Sequence, residues 1–230
     1  MGIQKQVAMK KYHSKINKNG VKMLPELLRE EKTIDFYGKT ITIKKMMLGD
    51  SIELGKIIEL KDGKEEKIKE FMKTLTNAEL DKLTTSEFYR LYLEIAEYTN
   101  GHGLEFRPTC NNDKCILKSP FKVEFMVKDI EFDSISKQTI EIDDMSFNIV
   151  REFNVGGDSV DTLVKSVIYN GKLYKFENGE QSEFFDKYVT MDQYNELTSS
   201  IKLEHAIVKY QCPACGKKYE DDIINLDFFQ

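Results

Sequence analysis

The sequence predicts an α+β fold of two related halves, each made of short strands and helices, with a basic arm in front of them. Three observations lead there. Apolar periodicity switches repeatedly between two and about 3.6 residues; an order of local signals runs twice along the chain; and a cysteine pair closes each run. The 230 residues, 40% apolar and 11% aromatic, suffice for a sizeable core. The expected divisions are an arm and linker over 1–31, a first half over 32–136 and a second half over 137–230.

The arm comes first. Residues 1–23 carry Lys5, Lys10, Lys11, Lys15, Lys18 and Lys22 and no acid. Little apolar content and no clear period make it a segment expected to be mobile alone. Such an arm is a solvated tail, a segment that orders against an acidic partner or, as a lesser alternative, a nucleic-acid contact; the six lysines are the candidate partner contacts. The chain as a whole carries −5, which argues against nucleic acid as the main partner, since phosphate binding needs a broad basic surface. No apolar run approaches the ~20 residues that cross a bilayer, and the first residues lack the apolar core of a secretory signal. An intracellular or virus-associated protein is expected.

Residues 32–47 then read as a hairpin turning at Gly38–Lys39, with Thr40, Ile41, Thr42 and Ile43 alternating as a half-buried strand does. Asp50-Ser51-Ile52-Glu53 resembles a capping box, Asp50 being the cap, before a helix burying Ile52, Leu54, Ile57 and Ile58. A second helix over 65–76 puts Ile68, Phe71, Met72 and Leu75 on one face. The third starts near Thr85, buries Phe88, Leu91, Tyr92 and Ile95, and stops at Asn100-Gly101. From Leu104 the period is two again: a strand, the first cysteine pair, and a returning strand with Phe121, Val123, Phe125 and Val127 on one side.

The order then restarts. Thr139–Asp143 and Ser146–Phe153 form a second strand pair, and Gly157-Asp158-Ser159 repeats Gly49-Asp50-Ser51 ahead of a helical trio Val160, Leu163, Val164. Asn170-Gly171 marks a tight turn. Thr190 opens a helix as Thr84 does, and Ala206–Gln211 leads into the second cysteine pair. From Ser51 to Cys110 is 59 positions and from Ser159 to Cys212 is 53; from Thr84 to Cys110 is 26 and from Thr190 to Cys212 is 22. Chance likeness among short elements is the competing explanation, and few identities underpin the match.

Cys110, Cys115, Cys212 and Cys215 are all the cysteines of the chain. Two short loops with two thiols each are what a tetrahedral zinc site requires, and Cys212-Pro-Ala-Cys215-Gly216 is the more specific of the two. Gly216 permits the tight geometry after the second ligand. With 96 residues between Cys115 and Cys212, the site would be a discontinuous zinc ribbon that takes one knuckle from each half. Disulfides suit an oxidising compartment and a smaller core. A redox pair belongs at a helix start, whereas Lys217-Lys218-Tyr219-Glu220 reads as strand. Four unrelated buried thiols are the remaining alternative. Four thiolates close the coordination shell, so Zn²⁺ here would be structural and not catalytic.

Signals for catalysis are weak. His13, His102 and His205 are scattered, and Gly156-Gly157 reads as a helix entry, with no phosphate-loop lysine. Asp143-Asp144 and Asp221-Asp222 could be nuclease carboxylates, but adjacent acids in strands point to opposite faces. A non-enzyme without a small-molecule substrate is expected.

The two knuckles, the opening hairpin, the short helices and the trailing Asp227-Phe228-Phe229 resemble the zinc-containing baseplate hub, or hub-assembly, proteins of T-even-like contractile-tailed phages. The likeness runs over roughly Lys32–Gln230; the long basic arm departs from it. It implies a role in the tail baseplate or in its assembly, in the virion or the host cytoplasm, with other tail proteins as partners. The alternative is a zinc-ribbon nucleic-acid or transcription factor using the arm with Lys209, Lys217 and Lys218. Against it, Glu220, Asp221 and Asp222 interrupt any basic face.

Overall fold

In a computed structural model the described residues are 29–153, 160–177 and 180–225. The lysine arm through 28, Gly157-Asp158-Ser159 and Asp227-Phe228-Phe229 lie outside them, and so do the expectations placed there.

The chain is mixed α and β, as expected. Strands β1 (Glu31–Phe36) and β2 (Lys39–Lys44) pair antiparallel. Their turn is Tyr37–Gly38, at φ +52° and +74°, one position earlier than Gly38–Lys39. A two-residue hairpin loop of this twist needs both central residues left-handed. Gly38 takes the second place, which leaves Lys39 free to make the first rung with Phe36. Ile41 and Ile43 point into the core.

Helix α1 (Leu48–Ile58) begins two residues ahead of Asp50. Asp50 is therefore not the cap: it sits in the first turn, and its carboxylate accepts the Met47 N–H at 2.6 Å. The earlier start also sets the face. Leu54 and Ile57 are buried, while Ile52 is 52% exposed, one turn from exposed Leu48. Helix α2 (Lys64–Leu75) buries Ile68, Phe71, Met72 and Leu75 as its spacing dictates. Helix α3 (Thr85–Asn100) is capped by Thr84, whose hydroxyl accepts the Glu87 N–H while the Glu87 carboxylate accepts the Thr84 N–H at 3.0 Å. It ends at left-handed Gly101.

Two faces of α3 are apolar, and that places it at the centre. Phe88, Leu91 and Ile95 complete a first core with β1, β2, α1 and α2. Leu93, with partly buried Tyr92 and Ala96, meets another core built from β3 (Leu104–Phe106), β4 (Val123–Phe125), β5 (Ile130–Asp133) and β10 (His205–Gln211). Between β5 and β10 in the chain lies a four-stranded antiparallel sheet. It runs β6 (Lys137–Ile142), β7 (Met145–Val150), β8 (Val164–Tyr169) and β9 (Lys172–Lys175) in sequence order. Its core is closed by α4 (Val160–Leu163), α5 (Glu180–Tyr188) and α6 (Met191–Ser200).

Two sequence expectations change here, and one helix is added. Val164 belongs to β8 and not to the helix before it. Phe153 leaves its strand to join the first core, stacked on Phe88, with its N–H on the Leu83 carbonyl at 2.9 Å. Helix α5, with Phe184 and Phe185 buried, is absent from the sequence reading. The Asn170-Gly171 turn stands as expected, left-handed at both residues.

A buried polar junction holds the cores in register. The Glu204 carboxylate accepts the N–H groups of Ser86, at the start of α3, at 3.2 Å and of Ile135 at 3.1 Å. Arg151, 3% exposed, donates to the carbonyls of Ile135 and Lys202. Burial pushes the Glu204 carboxyl above its ordinary range, against the bonds from Thr84, Ser86 and Ile135.

Candidate metal centre

Each cysteine pair sits in a loop between two antiparallel strands. Cys110 and Cys115 lie between β3 and β4, whose rungs run from Leu104–Phe125 to Phe106–Val123. Cys212 and Cys215 lie between β10 and β11 (Lys218–Asp222), which continue from Gln211–Lys218 to Ile207–Asp222. The second loop closes on itself: the Cys212 N–H donates to the Lys217 carbonyl at 2.9 Å, and the Gly216 N–H to the Cys212 carbonyl at 3.0 Å. Gly216 is left-handed at φ +72°, and a Cβ there would press on the Gln211 amide at 3.2 Å. That is why the position after Cys215 is glycine.

The loops bring all four sulfurs within 4.8 Å of one another. Cys110 Sγ lies 3.7 Å from Cys215 Sγ, and Cys115 Sγ lies 3.7 Å from Cys212 Sγ. Sulfurs bonded to a single tetrahedral ion at ~2.3 Å stand about 3.8 Å apart, so the observed spacing is the edge of such a tetrahedron. It is far longer than a disulfide bond, and all four thiols are free. Cys110, Cys115 and Cys212 are buried and Cys215 is exposed. The donor set and its spacing fit Zn²⁺, the ion for which a four-thiolate shell is commonest.

A model of the T4 bacteriophage base plate protein family matches residues 12–229. The chain belongs to that family. No curated protein and no solved structure matches it. Family membership makes this baseplate protein a structural component of the phage tail, with tail proteins as its natural partners. No described helix is long and apolar enough to cross a membrane.

The other candidate groups of the baseplate protein have separate structural partners. His102 Nδ1 lies 2.8 Å from the neighbouring Gly103 carbonyl, and His205 Nδ1 lies 2.7 Å from the Asp222 carboxylate. Asp143 is left-handed in the β6–β7 turn and accepts from Gln193 at 2.8 Å. Asp221 accepts the Tyr210 hydroxyl at 2.6 Å. Lys209 is held by Glu131 at 2.7 Å, and Lys217 by Asn111 at 2.6 Å.

One participant was missed in the sequence. The Tyr219 hydroxyl lies 3.0 Å from Cys110 Sγ and accepts the Asn111 N–H at 3.2 Å, so β11 of the second knuckle supports the first. Its hydrogen bond lowers the Cys110 thiol to about 6, and a backbone N–H at Lys217 lowers Cys215. Burial pushes Cys115 up to about 12. Without a metal, neighbouring thiolates repel, so the proton is lost first where a donor is in place. The only signal for Tyr219 was an aromatic residue four positions beyond Cys215, which reads equally well as a core residue.

Proposed function

We propose that this baseplate protein is a zinc-stabilised structural or assembly component of the hub region. It acts through protein–protein contacts and without catalysis. The observation that carries the reading is the four-sulfur cluster: loops some hundred residues apart in sequence bring four thiols together, which supports a discontinuous zinc ribbon. The metal then ties the mid-chain knuckle to the knuckle near the C-terminus, giving the stiff surface an assembly intermediate needs.

Two related halves, 32–136 and 137–230, are part of the same proposal. The order strand pair, helices, threonine-capped helix, strand, cysteine knuckle, strand and 3-10 turn runs through both, with β8 and β9 inserted among the helices of the second. The same interval of 106 positions separates Lys39 from Met145 at the strand pairs and Thr84 from Thr190 at the caps. The lysines at 5, 10, 11, 15, 18 and 22 supply steering toward an acidic neighbouring subunit, where electrostatics favour encounter and register more than affinity.

The test has two arms. Elemental analysis of the purified chain is expected to give one zinc per chain, lost on substitution of Cys115 or Cys212. Complementation of a phage lacking the gene is expected to place the full chain in baseplates and to fail for a chain lacking residues 1–23 that still folds. Baseplates that assemble normally without the protein overturn the reading.

A further inference from the structure

The two strand pairs match rung for rung. Phe36 faces Lys39 as Ile142 faces Met145, and Glu31 faces Lys44 as Lys137 faces Val150. Buried Ile41 and Ile43 of β2 hold the places of buried Phe147 and Ile149 of β7. What lies along the outer edge differs. Strand β8 covers β7, with Tyr169 opposite Met145, Ile168 opposite Ser146, Val167 opposite Phe147 and Val164 opposite Ile149.

On β2 the corresponding cover stops short. Ile43 makes one bridge, to Thr76, at the place of the Ile149–Val164 rung. Asn77 then takes both outward groups of Thr42: its side-chain oxygen accepts the Thr42 N–H at 2.8 Å, and its own N–H donates to the Thr42 carbonyl at 3.3 Å. The chain then leaves the strand. In an antiparallel ladder outward-facing residues alternate, so the N–H and C=O of Thr40 also point to this edge. No other strand among the described residues pairs with them. Beside Thr40 runs a groove of about 460 Å³, with apolar lining from Tyr37, Ile41, Ala78 and Leu83 among others and charged lining from Lys39, Glu79, Lys82 and Glu87.

We propose that this edge receives an extended segment of a neighbouring subunit that pairs antiparallel with Lys39–Ile41, as β8 pairs with Met145–Phe147. The neighbour's being a baseplate protein rests on the proposed function; the edge itself does not. The chemistry of the occupant follows from the second sheet. The residue opposite Ile41 takes the place of Val167 and is apolar; the one opposite Lys39 takes the place of Tyr169 and is aromatic. Lys39 makes no ion pair among the described residues; Glu79 of the same groove, which it feels electrostatically, is held by Lys82 at 2.9 Å, so an acidic residue beyond the aromatic one complements the rim. This is strand addition, in which main-chain bonds hold the segment and alternate side chains fill pockets.

The probe is a synthetic peptide copying Val167–Tyr169, the part of β8 whose places beside Lys39–Ile41 are open, with one aspartate added at its C-terminal end, titrated into the zinc-loaded full chain and followed by amide chemical shifts. Shifts concentrated at Lys39–Ile41 and Ala78 are expected, with little response to a peptide carrying serine at the two positions copied from Val167 and Tyr169. Thr40→Pro removes an outward N–H without touching the β1–β2 ladder; it should weaken binding about tenfold or more while the melting temperature holds. Ala78→Tyr, which fills the groove, should do the same. Absent or scattered shifts, or undiminished binding to both variants, overturn the proposal. If Thr40→Pro enters baseplates as well as the unaltered chain, the edge fails and the proposed function stands. If the unaltered chain never enters baseplates, the proposed function fails and the peptide result is untouched.

Discussion

The first and second strand pairs of this baseplate protein share register and inward residues, yet one completes its own sheet and the other does not. Strands β8 and β9 extend β6–β7 to four strands over a core of their own. Strands β1 and β2 remain a pair and bury Ile41 and Ile43 against α1, α2 and α3 instead. The difference is one of covering material. Where helices supply the apolar surface, a two-stranded ribbon is stable; where one-turn α4 replaces longer helices, further strands are needed. The knuckles differ in the same spirit. Both loops close through their own backbone bonds, the Cys212 loop with left-handed Gly216 and the Cys110 loop through Cys115 N–H on the Asn112 carbonyl at 2.9 Å, but the Cys110 loop also takes side-chain support from Tyr219 and Lys217 of the other.

The largest expected effect tests whether the metal joins these unequal regions. Zinc binding to a four-thiolate site is worth of the order of 10 kcal/mol of folding free energy. Chelation should therefore lower the melting temperature steeply. Cys212→Ser, at a site 1% exposed, should cost more than Cys215→Ser at the exposed rim. Differential scanning calorimetry with and without chelator checks it. A melting curve indifferent to chelator and to both substitutions would mean that the sulfurs cluster without holding an ion.

A smaller effect is expected at the junction of Glu204 with the start of α3. Glu204→Gln leaves one acceptor oxygen for two N–H groups, those of Ser86 and Ile135, and turns an amide donor toward one of them. The cost should be about 1–3 kcal/mol. The pH dependence has a definite sign. Because burial raises the folded carboxyl pKa, the native state binds more protons than the unfolded chain between the ordinary carboxyl pKa and the raised one. The contribution of Glu204 to stability then falls as pH rises through that window and is level above it. Glu204→Gln should flatten this slope in urea titrations at a series of pH values; an unchanged slope would assign it to another group.

Much of this was legible from short-range pattern. The helix face Ile68, Phe71, Met72, Leu75, the Asn170-Gly171 turn and the cysteine spacing rest on local chemistry, and each stands where the residues put it. What escaped depended on partners distant in the chain. Asp50 carries a cap's side chain, but the helix began earlier because Leu48 and Ile52 could remain exposed. Phe153 reads as the end of a strand, yet Phe88 from α3 offered it a buried stacking face. Helix α5 is rich in acids, and its apolar content lies mainly in adjacent Phe184 and Phe185, too brief a stripe to announce a period. Tyr219 touches Cys110 across 109 positions, a separation that no local signal spans.

The smallest effect gives the closest comparison, because it concerns two threonine caps of the same geometry. Thr84 and Thr190 cap α3 and α6 with the same geometry: each hydroxyl accepts from the third helical N–H at 3.3 Å, and Glu87 or Gln193 answers the threonine N–H at 3.0 Å. Their surroundings differ. Thr84 is fully buried, with the Ser134 hydroxyl at 3.2 Å and the Glu204 carboxylate as a further partner, whereas Thr190 is exposed. Water can replace the lost cap at Thr190 but not at Thr84. Thr190→Ala should thus cost about 1 kcal/mol and Thr84→Ala nearer ~2 kcal/mol. Combining Thr84→Ala with Glu204→Gln should cost less than the two separately, since both remove one shared contact, while Thr190→Ala with Glu204→Gln should be additive. Equal costs at the two caps, read from urea midpoints, would mean that the burial of α3 contributes nothing to the strength of its cap.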